Sequence, residues 1–188
     1  GSSELYEDFN TKFGDLSAIM IENLPFWVEI TTTPSKKVSL MSEWESKLKA
    51  IVSVVKNEDV GSMTGVPSWM MVLLQRTLAD TGKETIAEIW PNLEVFFHGG
   101  ISFKPYRDQY RKIIGKDINY YEIYNASEGF FAIQDQPGSD EMLLMLDYGI
   151  FYEFIPMDAF DPDNLQAIPL EEVEIGKNYA LVITTNSG

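Results

Sequence analysis

Two short segments of this sequence carry side chains that could bind a nucleotide at strand ends. The first combines an aromatic ring, small residues, a hydroxyl group and a carboxylate, in the order Tyr124, Asn125, Ala126, Ser127, Glu128 and Gly129. These groups can stack on a base, hydrogen-bond its edge and hold a Mg²⁺ ion that bridges phosphates. An acidic β-turn uses the same residue types, so the spacing alone leaves both interpretations open.

The second segment is an apolar run that stops at the single histidine of the chain, His98, followed by Gly99 and Gly100. Glycine lets a backbone pass close to a ligand. Ligands of open α/β sheets also bind beyond the carboxyl ends of the strands. An ordinary turn with a hydrogen-bonded histidine explains the pattern equally well.

Three carboxylates, those of Asp158, Asp161 and Asp163, have a spacing similar to part of a calcium loop. Such a loop also needs a glycine at its turn and a glutamate as its last ligand, and both are missing here. We therefore expect a solvated acidic loop at this place.

Composition restricts the chemistry further. The 188 residues include 14 Lys and Arg against 29 Asp and Glu, a formal charge of −15, which does not suit a nucleic-acid backbone. The absence of cysteine and the single histidine exclude thiolate or His-based zinc sites. No apolar run approaches the roughly 20 residues that span a bilayer, and no leader pattern is visible. We expect a cytoplasmic protein without membrane contact.

The charges are unevenly distributed along the chain. Between Asp117 and Gly176 there are fourteen acidic residues and no basic one, whereas five basic residues lie between Lys104 and Lys116. This asymmetry predicts two solvated faces of opposite charge.

Hydrophobic periodicity predicts the elements that must position these side chains. Helices are predicted over Glu4–Glu22, after a capping box formed by Ser42 and Glu45, from Pro67 to a stop at Gly82, and over Tyr106–Ile114. Strands are predicted over Leu93–Phe97, Tyr120–Tyr124, Gly129–Ile133, Met142–Leu146, Phe151–Ile155 and Tyr179–Thr184. Pro25–Val38 is predicted as a strand or an edge loop, and Gly61–Gly65 as a turn.

These elements predict the fold class. Helices dominate residues 1–88 and strands dominate residues 89–188, and no linker is long enough to divide the chain, so we predict a single domain over 1–188. One strand-helix-strand unit, Leu93–Tyr124, is typical of parallel strands. The expected class is α/β, with a mixed, partly parallel sheet flanked by helices.

Four blocks, in the same order along the chain, resemble the auxin-responsive acyl-acid amido synthetase family in its bacterial form. The blocks are Trp90–Leu93, Phe97–Gly100, Tyr124–Gly129 and Gly149–Pro156. That family belongs to the adenylate-forming enzymes. The resemblance therefore implies that the sheet is part of the large N-terminal domain of such an enzyme.

The resemblance also implies a two-step ligase with ATP and Mg²⁺ as cofactors. A carboxylic acid attacks the α-phosphate of ATP, which gives an acyl-adenylate and pyrophosphate. An amine or amino acid then attacks the acyl carbon and releases AMP. The implied partners are thus small molecules, and no nucleic acid or membrane is among them.

The residues implied to bind the nucleotide form two groups. On one side of the adenine lies the turn of Tyr124, Asn125, Ala126, Ser127 and Glu128, in which Tyr124 stacks and Glu128 is both the Mg²⁺ ligand and the catalytic carboxylate. The turn of His98, Gly99 and Gly100 lies on the other side, at the adenine or ribose.

Parts of the family pattern are missing. The segment Gly61–Gly65 lacks the repeated hydroxyls of the family's phosphate loop, and the mobile C-terminal domain is absent. The resemblance therefore implies an internal fragment that is inactive alone and needs the rest of the ligase. A non-catalytic nucleotide- or protein-binding α/β module and a segment of an acyl-CoA ligase stay open as alternatives. Gly65–Trp69 could border an acyl-acid pocket, although the helical spacing of Trp69 and Met70 favours the core.

Overall fold

The computed structural model describes residues 5–9 and 11–186, in which helices precede a largely β second half. The helices are α1 (Leu16–Glu22), α2 (Phe26–Glu29), α3 (Lys36–Ser39), α4 (Trp44–Val55), α5 (Pro67–Thr81) and α6 (Arg107–Ile114). The strands are β1 (Leu5–Asp8), β2 (Thr11–Gly14), β3 (Ser62–Gly65), β4 (Val95–Gly99), β5 (Asn119–Ala126), β6 (Gly129–Ile133), β7 (Leu143–Leu144), β8 (Phe151–Pro156), β9 (Ile168–Pro169) and β10 (Tyr179–Thr184). Short 3-10 turns cover Ile86–Glu88, Met157–Ala159 and Leu170–Glu172.

The largest sheet has five strands in the order β3-β4-β5-β6-β7. The first three are parallel, with α5 in the connection from β3 to β4 and α6 in the connection from β4 to β5, whereas β6 and β7 return antiparallel. This arrangement confirms the α/β class, the mixed and partly parallel sheet, and the strand-helix-strand unit at Leu93–Tyr124.

A buried aromatic cluster lies at the centre of the core. Phe96, Phe103 and Tyr110 are nearly inaccessible to solvent, and the rings of Phe96 and Tyr110 stack with their centroids 5.0 Å apart. Side chains alternate along a strand, so Phe96 and His98 leave β4 on the same face. The cluster therefore joins α6 to the face of the sheet from which His98 projects.

Helices α5 and α6 end where the sequence predicts. Pro67 is the first residue of α5, where its missing amide costs no hydrogen bond. Gly82 and Gly115 follow the two helices in the left-handed conformation, with φ of +67° and +78°.

The prediction of a single helix over Glu4–Glu22 is wrong in its first half. Glu4 lies outside the described residues, β1 and β2 form a hairpin, and only α1 is helical. Tyr6 pairs with Phe13 across the hairpin with their rings 5.6 Å apart, and Phe9 turns the chain with a φ of +53°. The apolar spacing fits a helix as well, but it also brings these two rings together as a cross-strand pair.

The segment Pro25–Val38 forms two helical turns, α2 and α3, where a strand or an edge loop is predicted. The hydroxyl groups of Thr31 and Thr32 donate to the Val28 carbonyl at 3.0 and 2.7 Å. Such local side-chain bonds to the backbone compete with strand pairing. They keep this β-prone stretch out of every sheet that the described residues form.

Helix α4 begins with a different cap from the predicted one. The carboxylate of Glu43, not the hydroxyl of Ser42, accepts hydrogen bonds from the amides of Glu45 and Ser46, at 2.9 and 2.7 Å. The two oxygens of a carboxylate can satisfy two free amides, and its charge favours the helix N-terminus. Bonds from Ser46 and from the Glu45 amide hold the pKa of the Glu43 carboxyl below its ordinary value.

The segment Gly61–Gly65 is predicted as a turn, and this prediction is wrong. Residues 62–65 form β3, which pairs in parallel with β4 from Ser62 opposite Val95 to Gly65 opposite His98. Met63 is buried between the exposed residues Ser62 and Thr64. This short alternation is typical of a strand, but Gly61 and Gly65 on either side of it make the sequence resemble a turn.

The C-terminal part contains a second sheet in the order β10-β8-β9. Strands β8 and β10 confirm the predictions over Phe151–Ile155 and Tyr179–Thr184, whereas only two residues of Met142–Leu146 are in a strand. The Tyr152 hydroxyl donates to the Met145 carbonyl at 3.2 Å, which joins β8 to the chain after β7.

The acidic loop is solvated, as predicted. Asp158, Asp161 and Asp163 are all exposed, and no group of three or more potential metal ligands occurs within residues 5–9 and 11–186. No helix in the same part of the chain is both long and apolar enough to cross a bilayer.

Candidate functional site

The register of the parallel strands brings both predicted segments to one edge of the sheet. His98 lies between Gly65 of β3 and Glu122 of β5, and Gly99 lies opposite Ile123, the residue before Tyr124. The turns that follow β3 and β4 and the extension of β5 therefore meet at the carboxyl edge. This is the edge where open α/β sheets bind ligands.

The side chain of His98 points into the core. Its residue is 2% exposed, and its ring stacks on that of Phe103 with centroids 4.1 Å apart. Its Nδ1 atom has no hydrogen-bond partner among the described residues. Burial, and to a lesser degree the Arg107 charge, lowers the pKa of His98 to about 4. A neutral imidazole in this place can shape the turn after β4.

Glycine is needed at each of the two positions after His98 for a different structural reason. A Cβ atom on Gly99 would lie 2.4 Å from the carbonyl oxygen of Ile123, so only glycine lets β4 and β5 approach as they do. Gly100 has a φ of +81° and ends the strand. A Cβ atom there would lie 3.5 Å from Val66, which places this turn beside the start of α5.

The first predicted segment forms the hairpin between β5 and β6. A β-bulge separates Tyr124 from Asn125, and Ala126 pairs with Gly129. Tyr124 is 47% exposed, and its ring meets that of Phe131 edge to face with the centroids 5.1 Å apart. A bulge re-aims side chains next to a functional site.

Ser127 and Glu128 form the tip of this hairpin, and both are exposed. The Glu128 carboxylate has no hydrogen bond and no ion pair with any residue that the structure describes. An exposed carboxylate of this kind suits Mg²⁺, which takes one or two carboxylates from a protein and completes its shell with phosphates and water.

A pocket of about 310 Å³ lies beside the carboxyl end of β3. Its walls include Gly65, Val66 and Trp69, and α4 contributes Trp44 and Lys47. The Trp44 and Trp69 rings meet edge to face at 4.8 Å. Helical spacing predicts Trp69 in the core, but it is 47% exposed and lines this pocket.

Lys47 is a pocket residue that the sequence argument does not identify. It is 8% exposed, and burial lowers the pKa of its ammonium group. Its position three residues after Trp44 and one before Leu48 places a lysine inside the apolar stripe of α4. Lysine is seldom buried to this extent, so a lysine within an apolar stripe is the sequence signal that could have indicated a site.

A larger cleft of about 420 Å³ follows the outer edge of β3. It runs along Gly61–Thr64 and is bordered by Thr31, Thr32 and Thr33. Gly65, Val66 and the turns after β4 and β5 do not line it. We therefore place the candidate site in the smaller pocket and at the carboxyl edge.

The other two blocks of the resemblance hold the fold in place. The Trp90 indole donates to the Val55 carbonyl at 2.8 Å, and the Asn92 amide donates to the Asp59 carboxylate. Glu153 lies in the middle of β8, opposite Val182. Trp90 is buried, and its role is to fasten the end of α4 to the segment before β4.

Comparison with protein families gives two matches along the chain. Residues 4–118 match the GH3 family N-terminal domain, and residues 143–188 match the GH3 family central domain. The first match covers more than half of the chain and includes β3, β4, α5 and α6. The two matches are separated by β5 and β6, which carry the Tyr124–Glu128 turn.

Known relatives agree with this family. The chain is 29% identical over 110 residues to indole-3-acetic acid-amido synthetase GH3.3 of Arabidopsis thaliana and 31% identical over 114 residues to indole-3-acetic acid-amido synthetase GH3.8 of Oryza sativa subsp. indica. Each alignment covers 55% of this chain and 18% of the relative. The chain therefore spans about a fifth of the length of the relatives that it matches. Together with the match over residues 4–118, this shows that the chain belongs to the GH3 family.

Proposed function

We propose that this chain supplies the nucleotide site and the acid site of an ATP-dependent acyl-acid amido synthetase. The observation that carries the proposal is the meeting of three features at one sheet edge: the Tyr124–Glu128 turn, the Gly99–Gly100 turn and the pocket of Trp44 and Trp69. A ligase of this kind must hold a nucleotide and an acid side by side, because the acid carboxylate attacks the α-phosphate.

At the nucleotide site, the half-exposed Tyr124 stacks on adenine and the backbone of Asn125 and Ala126 follows the edge of the base. Ser127 faces the nucleotide, and His98 acts through the turn that it supports. Glu128 holds Mg²⁺, and the ion neutralises charge on the phosphates when bound. This assignment is supported by the exposure of the hairpin and by the free Glu128 carboxylate.

At the acid site, the rings of Trp44 and Trp69 enclose the apolar body of the acid, and the Lys47 ammonium attracts its carboxylate. The names of the two plant relatives give indole-3-acetic acid as their acid. An aromatic carboxylic acid of similar size suits a pocket of about 310 Å³ that two indole rings line. The acceptor in the second step is an amine or amino acid.

The proposal places the enzyme in the cytoplasm, where ATP is available and a chain without cysteine needs no oxidising compartment. Transfer to the amine would use the remaining parts of a longer ligase, because the chain spans 18% of its relatives. The residues of the two sites are nevertheless present in this chain and can be tested in it.

Calorimetric titration of the 188-residue chain with indole-3-acetic acid tests the acid site. We expect binding that weakens about fivefold or more in Trp69→Leu, since an aromatic contact contributes about 1 kcal/mol. Trp27→Leu is the matched control, because Trp27 is exposed on α2 and does not line the pocket. No binding by the unaltered chain, or equal losses in both variants, would contradict the proposal.

A further inference from the structure

One buried hydroxyl group connects α6 with the beginning of α5. Tyr110 is fully buried, and its hydroxyl donates to the Pro67 carbonyl across 43 residues of chain at 2.7 Å. Its ring stacks on Phe96 and also meets Phe103 at 5.3 Å. Phe103 in turn stacks on His98. Tyr110 thus contacts both the cluster behind the turn after β4 and the first residue of the helix that follows β3.

The first turn of α5 is the part of the helix that shapes the acid pocket. It starts at Pro67, and its Trp69 and Met70 line the pocket together with Val66. Val66 makes no side-chain cap for this helix. The Tyr110 hydroxyl therefore donates a tertiary hydrogen bond to a first turn that has no side-chain cap of its own.

We infer that Tyr110 is a positioning residue whose hydroxyl fixes the first turn of α5, and with it the place of Trp69 in the pocket. The inference rests on the proposed function only for the identity of the ligand. The ring of Tyr110 fills the core, and a phenylalanine would fill it as well. What the hydroxyl adds is the bond to the Pro67 carbonyl, and this bond offsets the cost of burying a polar group.

The variant Tyr110→Phe keeps the ring and removes the bond to Pro67. Tyr120→Phe is the matched control, because Tyr120 belongs to the same aromatic cluster and its hydroxyl has no hydrogen-bond partner in the described part of the chain. Two measurements on the 188-residue chain are needed: amide hydrogen exchange along α5, and calorimetric titration with indole-3-acetic acid.

In Tyr110→Phe we expect the amides of Met70 and Met71, the first in α5 with acceptors in the helix or its cap, to exchange about fivefold faster, while those of residues 74–78 change little. We also expect the affinity for the acid to fall about fivefold, whereas Tyr120→Phe changes neither quantity. A uniform increase of exchange along α5, or an equal effect of both variants, would overturn the inference and leave only a packing role. If the unaltered chain does not bind the acid, the proposed acid site fails, and the exchange pattern alone decides for or against Tyr110.

Discussion

At the scale of single residues, the segment that ends β4 and the segment that ends β5 have different tasks. His98 and Gly99 are buried and hold strands together, whereas Tyr124 and Glu128 are exposed at a hairpin. A ligand at this edge would contact Tyr124 and Glu128 directly. His98 and Gly99 would affect it only through the shape of the turn after β4. Substitutions should therefore affect stability at β4 and binding at the hairpin.

Gly99→Ala should destabilise the fold by about 2 kcal/mol or more, because its Cβ atom would lie 2.4 Å from the Ile123 carbonyl oxygen. The cost arises in the backbone of β5, which cannot move away without breaking the sheet. Gly61→Ala is the control, since its Cβ atom would lie 3.8 Å from the Asn92 carbonyl oxygen, an ordinary van der Waals contact. Urea unfolding of both variants measures the difference, and equal midpoints would contradict this account.

His98 should make the fold sensitive to mild acid. Its pKa of about 4 in the folded chain is below its ordinary value of 6.5, so the unfolded chain binds more protons between these values. The contribution of His98 to stability is therefore complete above about pH 6.5 and is lost as the pH falls towards 4.

The variant His98→Phe keeps a ring beside Phe103 and removes the titrating group. Its unfolding free energy, measured from pH 7 to pH 4, should fall less steeply than that of the unaltered chain. Carboxylates titrate in both proteins, so the difference between the two curves isolates the histidine. Parallel curves would show that His98 is not buried in the neutral form.

At the scale of elements, the caps and turns determine where helices begin. Because the Glu43 carboxylate accepts two hydrogen bonds at the start of α4, Glu43→Ala should destabilise the fold, whereas Ser42→Ala should be close to neutral. Because hydrogen bonds lower the pKa of Glu43, this contribution is present above the ordinary pKa of a glutamate and is lost as the pH falls below it. Thermal unfolding at pH 7 and pH 3 checks both statements. A larger effect of Ser42→Ala than of Glu43→Ala would support the capping box of Ser42 and Glu45 instead.

The elements also show which structure the sequence can predict. Helices α5 and α6 are predictable because Pro67, Gly82 and Gly115 define their ends in local terms. The β1–β2 hairpin is not predictable, because the apolar spacing of its residues fits a helix equally well. Strand β3 is not predictable either, because it is stabilised by pairing with β4, which is distant in sequence. In the same way, Tyr124 and Glu128 can be proposed as site residues from the sequence, but the pocket of Trp44, Lys47 and Trp69 exists only after α4 and α5 pack together.

At the scale of the whole molecule, charge sets the conditions for a nucleotide. The chain carries a formal charge of −15, and the fourteen acids between Asp117 and Gly176 surround the hairpin in sequence without a single basic residue. A triphosphate at this place would be repelled unless a cation accompanies it. We therefore expect the proposed nucleotide site to need a cation, which Mg²⁺ would supply.

The 188-residue chain should accordingly bind ATP only in the presence of Mg²⁺, and only in the millimolar range, because the segment Asp117–Gly176 that contains the hairpin supplies no basic group to a phosphate site. Glu128→Ala should abolish this binding while changing the stability by less than about 0.5 kcal/mol, since the side chain is exposed. Glu153→Gln in β8 is the control. Calorimetry with and without Mg²⁺ measures both effects. Micromolar affinity, or binding that depends on neither Mg²⁺ nor Glu128, would contradict the proposed nucleotide site, because it would show that the phosphates are held without the ion and the carboxylate assigned to them.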